Sequence, residues 1–520
     1  MNKKMQLKVG AIISYASIAL SVVLGIFYTP TLVNKLGEAD YSIYTIAISI
    51  ISVFLLDFGL SNSVTKYMSE YFAKDEKEKA EQFYGKINQL YFILDALLII
   101  VFTVYFFILP SVYSALDVGS IERLKVVFII LSIYNLIAFA MTPLEGIITA
   151  SEHFIFLKVI QLIVKIAPAV FTIILLSIGC GLYSLVLTQV VIGVFAIVLK
   201  KLYVAKRIRV KPTYAKYNFR EYYSIFTYTF WVALIQIGSK LLLALFPTIL
   251  GMTSGSYDIT VFGIIHTLES YVSTIAYALS ALLLPRVTRI MIEEKDDKKL
   301  NDLFVKTAKV QTLICGLVII GFSILGNEFI SIWMKRDYSE AYFGLLLLII
   351  PICSIQTICV GTSALHVRNK IKPIGICYLC CGLLNLIFSY VLSLSLGVLG
   401  VCISFFLFET FIYLFILFTV KKNTNIRIIN VLLKVYIPSF VNFLLTFAVF
   451  VSIKSFNPVE NITRLAIYIF SITLFYMLIA GLLNFKDTRS LISSVFRGKK
   501  NRWKNEKATV VRASFRIKTF

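Results

Sequence analysis

The sequence predicts an all-α polytopic membrane protein. It reads as 14 transmembrane helices, arranged as two six-helix lobes related by a parallel repeat, plus two appended C-terminal helices. Three observations carry this. Of 520 residues, 58% are hydrophobic and only 15% charged, with mean hydropathy +0.85, far from the composition of a soluble domain. The apolar residues fall into runs of about 20, the length that spans a bilayer core. Finally, VTKYMSEYFAKDEKEKAEQF at 64–83 is written a second time as VTRIMIEEKDDKKLNDLF at 287–304, and a period of that size is the mark of a duplicated lobe.

The spans, in order, lie near 10–33, 41–61, 88–112, 125–149, 155–178 and 180–200, then 223–250, 258–284, 309–333, 341–363, 371–395 and 397–420. Two more, near 430–453 and 462–484, have no counterpart in the repeat. Pro30 interrupts the exit of the first span and Pro247 sits similarly in the seventh, which makes both hinge candidates. Each copy of the repeated polar stretch reads as a helix at the membrane surface. Glu70 and Lys74, and again Asp75 and Lys79, stand four apart as on a solvated helical face. The fifth-to-sixth hairpin opens with Lys158, turns on Gly179 and Gly181, and closes with Lys200 and Lys201. The eleventh-to-twelfth hairpin does the same with Lys372, Gly397 and Gly400, and Lys421 and Lys422. Six spans separate equivalent positions, so the copies share one orientation and their pseudo-two-fold runs along the membrane normal. The expected organisation is an N-lobe over 1–200, a connector over 201–222 and a C-lobe over 223–422. The appended pair then occupies 423–485 and a basic tail 486–520.

A formal charge of +23, from 51 Lys and Arg against 28 Asp and Glu, would suggest nucleic acid in a soluble protein. Here its placement decides otherwise, because with a cytoplasmic amino terminus roughly 42 basic residues fall inside and about seven outside. Both termini are expected in the cytoplasm and no nucleic-acid partner is expected. The apolar run after MNKKMQLK continues through Tyr28 and reads as a retained first span. The eight cysteines fall inside spans without nearby ligands and read as packing residues, with no metal site.

A few charges remain in the hydrocarbon, where each costs about 2.5–3.5 kcal/mol at the centre. Lys165 and Asp95 are expected at similar depth in the N-lobe, and Lys240 and Glu269 in the C-lobe, with His266 one turn from Glu269. Glu409 is the remaining deep acid. Two readings stand: pairs that neutralise one another and hold each lobe together, or a cationic lining for an anionic substrate at Lys165 and Lys240, with acids that exchange H+ or Na+. Nothing composes a catalytic centre. No glycine loop cradles phosphate, which argues against an ATP-driven pump, and no cofactor is expected.

The stretches GAIISYASIALSVVLGIFYTPTLVNKLGEADYSIYTIAISI with the following LLDFGL, SIGCGLYSL, ALLLPRVTRI and LLNLIFSYVLSLSLGVLGVCIS resemble the multidrug/oligosaccharidyl-lipid/polysaccharide exporter superfamily. Within it, the chain resembles the bacterial polysaccharide repeat-unit flippases of O-antigen and capsule synthesis. The resemblance implies two lobes whose cleft opens alternately to each side of the plasma membrane. It implies a substrate that is an undecaprenyl-pyrophosphate-linked oligosaccharide, moved to the outer leaflet by a monomer working beside polysaccharide polymerase machinery. An ion-coupled multidrug/cation antiporter of the same superfamily is the alternative, and it would want an acidic cleft. A membrane enzyme of polysaccharide assembly ranks third, since no outer loop is long enough to gather catalytic groups.

Overall fold

The computed structural model describes residues 3–54, 60–214, 219–280, 283–294 and 296–483, and every regular element among them is helical. Asp57, Lys295, part of the connector and the basic tail lie outside the described residues.

Helix α1 (Lys3–Phe54) has 52 residues, which laid straight would run about 78 Å, more than twice the hydrocarbon thickness. It folds back on itself at Gly37, where φ is 81°. Then come α2 (Leu60–Ala73), α3 (Lys77–Val112), α4 (Val118–Ala140) continued by α5 (Pro143–Ala150), α6 (Phe154–Ser177) and α7 (Leu182–Tyr203). The second half repeats the plan with α8 (Phe219–Leu243) continued by α9 (Phe246–Thr253), α10 (Ser256–Ser280), α11 (Leu283–Arg289), α12 (Asp297–Met334), α13 (Ser339–Thr357) continued by α14 (Cys359–Val367), and α15 (Lys372–Asn423). A short α16 (Ile428–Val431), α17 (Ile437–Phe456) and α18 (Ile462–Leu483) close the described chain. Among the described residues 11 helical stretches are long and apolar enough to cross a membrane. The difference from the expected 14 lies in α15, which counts once although it folds back at Gly397, and in α1, which is not among them.

The duplication is visible in the backbone. Left-handed φ values occur at Gly37 and Gly255, at Glu152 and Asn369, and at Gly179 and Gly397, each pair roughly 218 residues apart as a repeated lobe requires. In both copies of the polar stretch the valine is buried, Val64 on α2 and Val287 on α11. The expected Glu70–Lys74 pair forms at 2.7 Å. The expected Asp75–Lys79 pair does not, because α2 ends at Ala73 and Asp75 takes a left-handed turn with φ 57°. Lys79 binds Glu76 at 2.9 Å instead.

In the first half α4 and α6 pack on α1, and α7 packs on α4 and α6; in the second, α8, α9 and α13 pack on α15. The halves meet where α1 lies along α9 and α10. Polar bonds between them gather toward the Gly37 end. Glu38 accepts from Tyr338 Oη at 3.1 Å and lies 3.5 Å from Arg336, and its carbonyl accepts from Thr260 at 3.2 Å. Tyr113 donates to Thr248 at 3.1 Å and Trp333 to the Ile26 carbonyl at 2.6 Å. Helices α17 and α18 rest on α12, tied by Lys454, whose Nζ lies 2.6 Å from both Glu328 Oε1 and the Ile324 carbonyl.

A side chain at residue 37 would meet nothing within 4 Å, so substitution there tests conformation alone. Gly37→Val should lower the thermal unfolding midpoint in detergent, with a cost of about 1–2 kcal/mol for the left-handed φ. Gly37→Asn should lose about as much, because ψ is 168° there and that combination of angles is essentially glycine's alone.

Candidate functional site

The site begins with a helix that stops. Proline lacks an N–H, which costs a helix one backbone bond unless the residue sits in the first turn. Pro247 accordingly sits at the start of α9, and the chain breaks between Leu243 and Phe246. A break inside hydrocarbon leaves carbonyls that must find donors. Asn385 of α15 donates to the Leu242 carbonyl at 3.0 Å, and Ser49 of α1 donates to that of Ala244. Asn385 is fully buried and is itself held by the Ser404 hydroxyl at 2.7 Å. Pro30 lies within α1 without a break, the helical angles failing only at Gly37. Of the two hinge candidates, only Pro247 marks a discontinuity.

One turn before this break, Lys240 projects into a cavity of about 740 Å³ between the halves. Its walls come from the second arm of α1, with Tyr41, Tyr44 and Ser49, and from α8 and α10, with Gln236, Lys240 and His266. Among the described residues no carboxylate lines it. Tyr44 donates to Gln189 of α7 at 3.1 Å, which holds the phenol in place. Lys240 and His266 are both exposed to this space although they lie deep in the sequence spans.

A second cavity, of about 550 Å³, lies wholly in the second half. Glu269 and Ser273 of α10 and Tyr378 and Glu409 of α15 line it, and among the described residues no basic one does. Glu269 and Glu409 are both buried, and Glu269 accepts from the Ser273 hydroxyl. Ser239 and Leu243 of α8 border both cavities and form the wall between them.

This arrangement corrects two expected ion pairs. Lys240 and Glu269 share a depth but open into different cavities. His266 and Glu269, three residues apart, are about 60° apart around α10, and α10 stands between the two spaces, so what reads as one face is divided. Lys165 and Asp95 do not pair either, because α3 rests on α4 while α6 rests on α1 and α7. Lys165 is exposed and lines neither cavity. Asp95 is buried, and its Oδ1 has no hydrogen-bond partner. The ring contacts Tyr91–Phe139 and Phe102–Phe128 set the antiparallel register of α3 and α4, which puts Asp95 level with Asn135.

Sequence reasoning missed Tyr41, Tyr44 and Gln236. Only Gln236 carried a signal, as a polar residue one turn before Lys240 in an apolar span.

Because neither Asp95 nor Lys165 has an ionic partner among the described residues, Asp95→Asn and Lys165→Gln should each shift unfolding free energy by less than about 1 kcal/mol. A thermal unfolding series in detergent checks this. A buried pair broken from one side would instead cost about 3–5 kcal/mol.

No curated protein sequence matches this chain significantly. Solved structures do. The chain is similar to the lipid II flippase MurJ in an inward closed conformation, at 17% identity over 93% of this chain and 99% of that one, with a TM-score of 0.69. It is similar to an inward-facing multidrug resistance MATE family transporter of the MOP superfamily, at 13% identity over 81% of this chain and 100% of that one, with a TM-score of 0.63. It is also similar, at 13% identity, to a MOP superfamily transporter from Pyrococcus furiosus described by the reverse polarity of its binding pocket. That match covers 81% of this chain and 95% of the other, with a TM-score of 0.56. These likenesses show the fold, that of the MOP transporters. A family profile described as polysaccharide biosynthesis protein matches residues 35–342, more than half the chain, and with it the chain belongs to the polysaccharide biosynthesis protein family.

Proposed function

We propose that this protein is a flippase that carries a lipid-linked oligosaccharide across the bacterial plasma membrane, with an undecaprenyl diphosphate as the lipid part and both termini in the cytoplasm. The observation that carries the reading is the separation of charge: among the described residues the cavity between the halves presents Lys240 and His266 and no acid, while Glu269 and Glu409 line a cavity of their own. A diphosphate leaving water needs cations and donors in a low-dielectric site. Lys240, Gln236 and the hydroxyl of Tyr41 supply them, and the rings of Tyr41 and Tyr44 offer flat apolar faces for sugar rings. The lipid tail stays in the bilayer, so the cavity has to hold only the headgroup. Family membership supports a saccharide, and a fold shared with transporters supports movement rather than chemistry. Polysaccharide polymerase machinery is the expected neighbour of the monomer, since it consumes the translocated unit.

Transport by this reading alternates access. Rocking the halves apart at the Gly37 end breaks the Glu38 contacts, and the α8–α9 break beside Pro247 is where the second half bends. The acidic cavity holds the coupling cation, H+ or Na+, one wall of α8 away from the substrate. That same cavity favours the second reading, a drug/cation antiporter, whose cation would bind at Glu269 and Glu409.

Translocation of a lipid-linked oligosaccharide in proteoliposomes, run beside uptake of a cationic dye, tests the proposal, and dye movement alone overturns it. Lys240→Ala should cut lipid-linked sugar movement by roughly tenfold or more, the worth of a charge-assisted contact, and Lys240→Arg should retain most of it. Glu269→Gln and Glu409→Gln should leave binding of the lipid-linked sugar intact and abolish the stimulation of transport by an imposed proton or sodium gradient.

A further inference from the structure

After α7 the chain does not leave the protein as a loose linker. It makes one π-helical turn, Val204–Ile208, and Arg209 then takes a left-handed conformation with φ 61°, its N–H returning to the Val204 carbonyl at 2.8 Å. A bulky residue adopts that conformation only where its surroundings impose it. Three kinds of contact do so here. Val204 and Val210 are buried among Tyr84, Ile87 and Leu157. Glu81 of α3 takes the Lys211 N–H on its carboxylate at 3.3 Å and the Thr213 N–H on its carbonyl at 3.0 Å. The strap passes so close to α3 that a Cβ at Gly85 would stand 2.0 Å from the Thr213 carbonyl oxygen. Upstream, Tyr203 stacks on Phe156 at 3.7 Å and bonds His153 at 2.9 Å.

What this frame displays is charge of one sign. Lys201, Lys206, Arg207, Arg209 and Lys211 are exposed, and residues 201–214 contain no acid. Among the described residues none of the five side chains has an ion-pair partner. Lys200, one residue earlier, differs: it is bound to Glu145, which also takes Gln161. Cations that need a carboxylate for packing therefore have one here, and the five on the strap are left for something outside the chain. Leu202 and Tyr214, exposed at the two ends of the stretch, add the apolar and aromatic anchors of a membrane interface. Setting topology requires only a count of basic residues. A strained, threefold-pinned backbone under them requires a surface with a shape.

We infer that the strap from Lys201 to Tyr214 is a fixed binding surface for the phosphate headgroups of anionic phospholipids, holding the first half at the leaflet while the second half moves. This rests on the orientation proposed above, which puts the strap at the cytoplasmic leaflet. The surface is distinct from the transport cavity, since none of its residues lines that space.

The test is native mass spectrometry of the full-length protein, released from nanodiscs that mix phosphatidylglycerol with phosphatidylcholine. The variant is Lys206→Gln/Arg207→Gln/Arg209→Asn, with asparagine chosen for the left-handed position. A matched triple, Lys421→Gln/Lys422→Gln/Lys434→Gln, removes the same charge elsewhere at that end of the chain. Retained phosphatidylglycerol should fall by about tenfold in the strap variant and stay near wild type in the matched one. Equal retention in the strap variant overturns the inference, as does equal loss in both triples, which would mean that net charge alone attracts lipid. In a third arm, polyprenyl diphosphate replaces phosphatidylglycerol; retention of that lipid alone overturns the inference by making the strap a substrate dock. Because the readout is bound phospholipid and not transport, failure of the flippase reading leaves its outcome interpretable.

Discussion

A backbone that enters hydrocarbon has to satisfy its own N–H and C=O groups, and the rest of this structure depends on how that demand is met where helices stop. The stop between α8 and α9 is the informative one. Pro247 has no N–H to donate to the turn before it, the chain starts a new helix at Phe246, and the carbonyls of Leu242 and Ala244 are released in the interior. Asn385 from the same half and Ser49 from the other half take them. A local chemical necessity thus becomes a joint of three helices. It also sets Lys240 at the end of α8, pointing into the space between the halves.

The distribution of buried charge follows from the same solvent argument. A cation and a carboxylate facing one cavity would satisfy each other and leave nothing for a ligand. Here α10 and the Ser239–Leu243 edge of α8 divide them, with Lys240 and His266 on one side and Glu269 and Glu409 on the other. Each cavity keeps one sign. Spaces suited to an anion and to a cation therefore lie side by side and share one wall.

The contacts between the halves are unequal along their length. Toward the Gly37 end, Glu38, Tyr338, Thr260, Tyr113, Thr248 and Trp333 join them through hydrogen bonds to side chains and backbone. Individually such bonds contribute about 0.5–1.5 kcal/mol, small enough to be exchanged in the rocking proposed above. The appended α17 and α18 rest on α12, in the second half.

Much of this was legible in the chain alone. Hydropathy and run length determined the class of fold, since burial in a bilayer is read residue by residue. Turn chemistry determined where helices reverse: Gly179 and Gly397 take the left-handed conformation that their hairpins require, and glycine adopts it at no steric cost. The 64–83 and 287–304 stretches disclosed the duplication, and Lys240, Glu269 and Glu409 stood out because charge in an apolar run is expensive wherever it points. What the tertiary structure decided is who faces whom. Depth along a helix follows from counting residues, but the direction around its axis and the identity of its neighbour depend on packing across the whole bundle. That is why Lys240 and Glu269, equal in depth, open into separate cavities, and why Asp95 on α3 never meets Lys165 on α6.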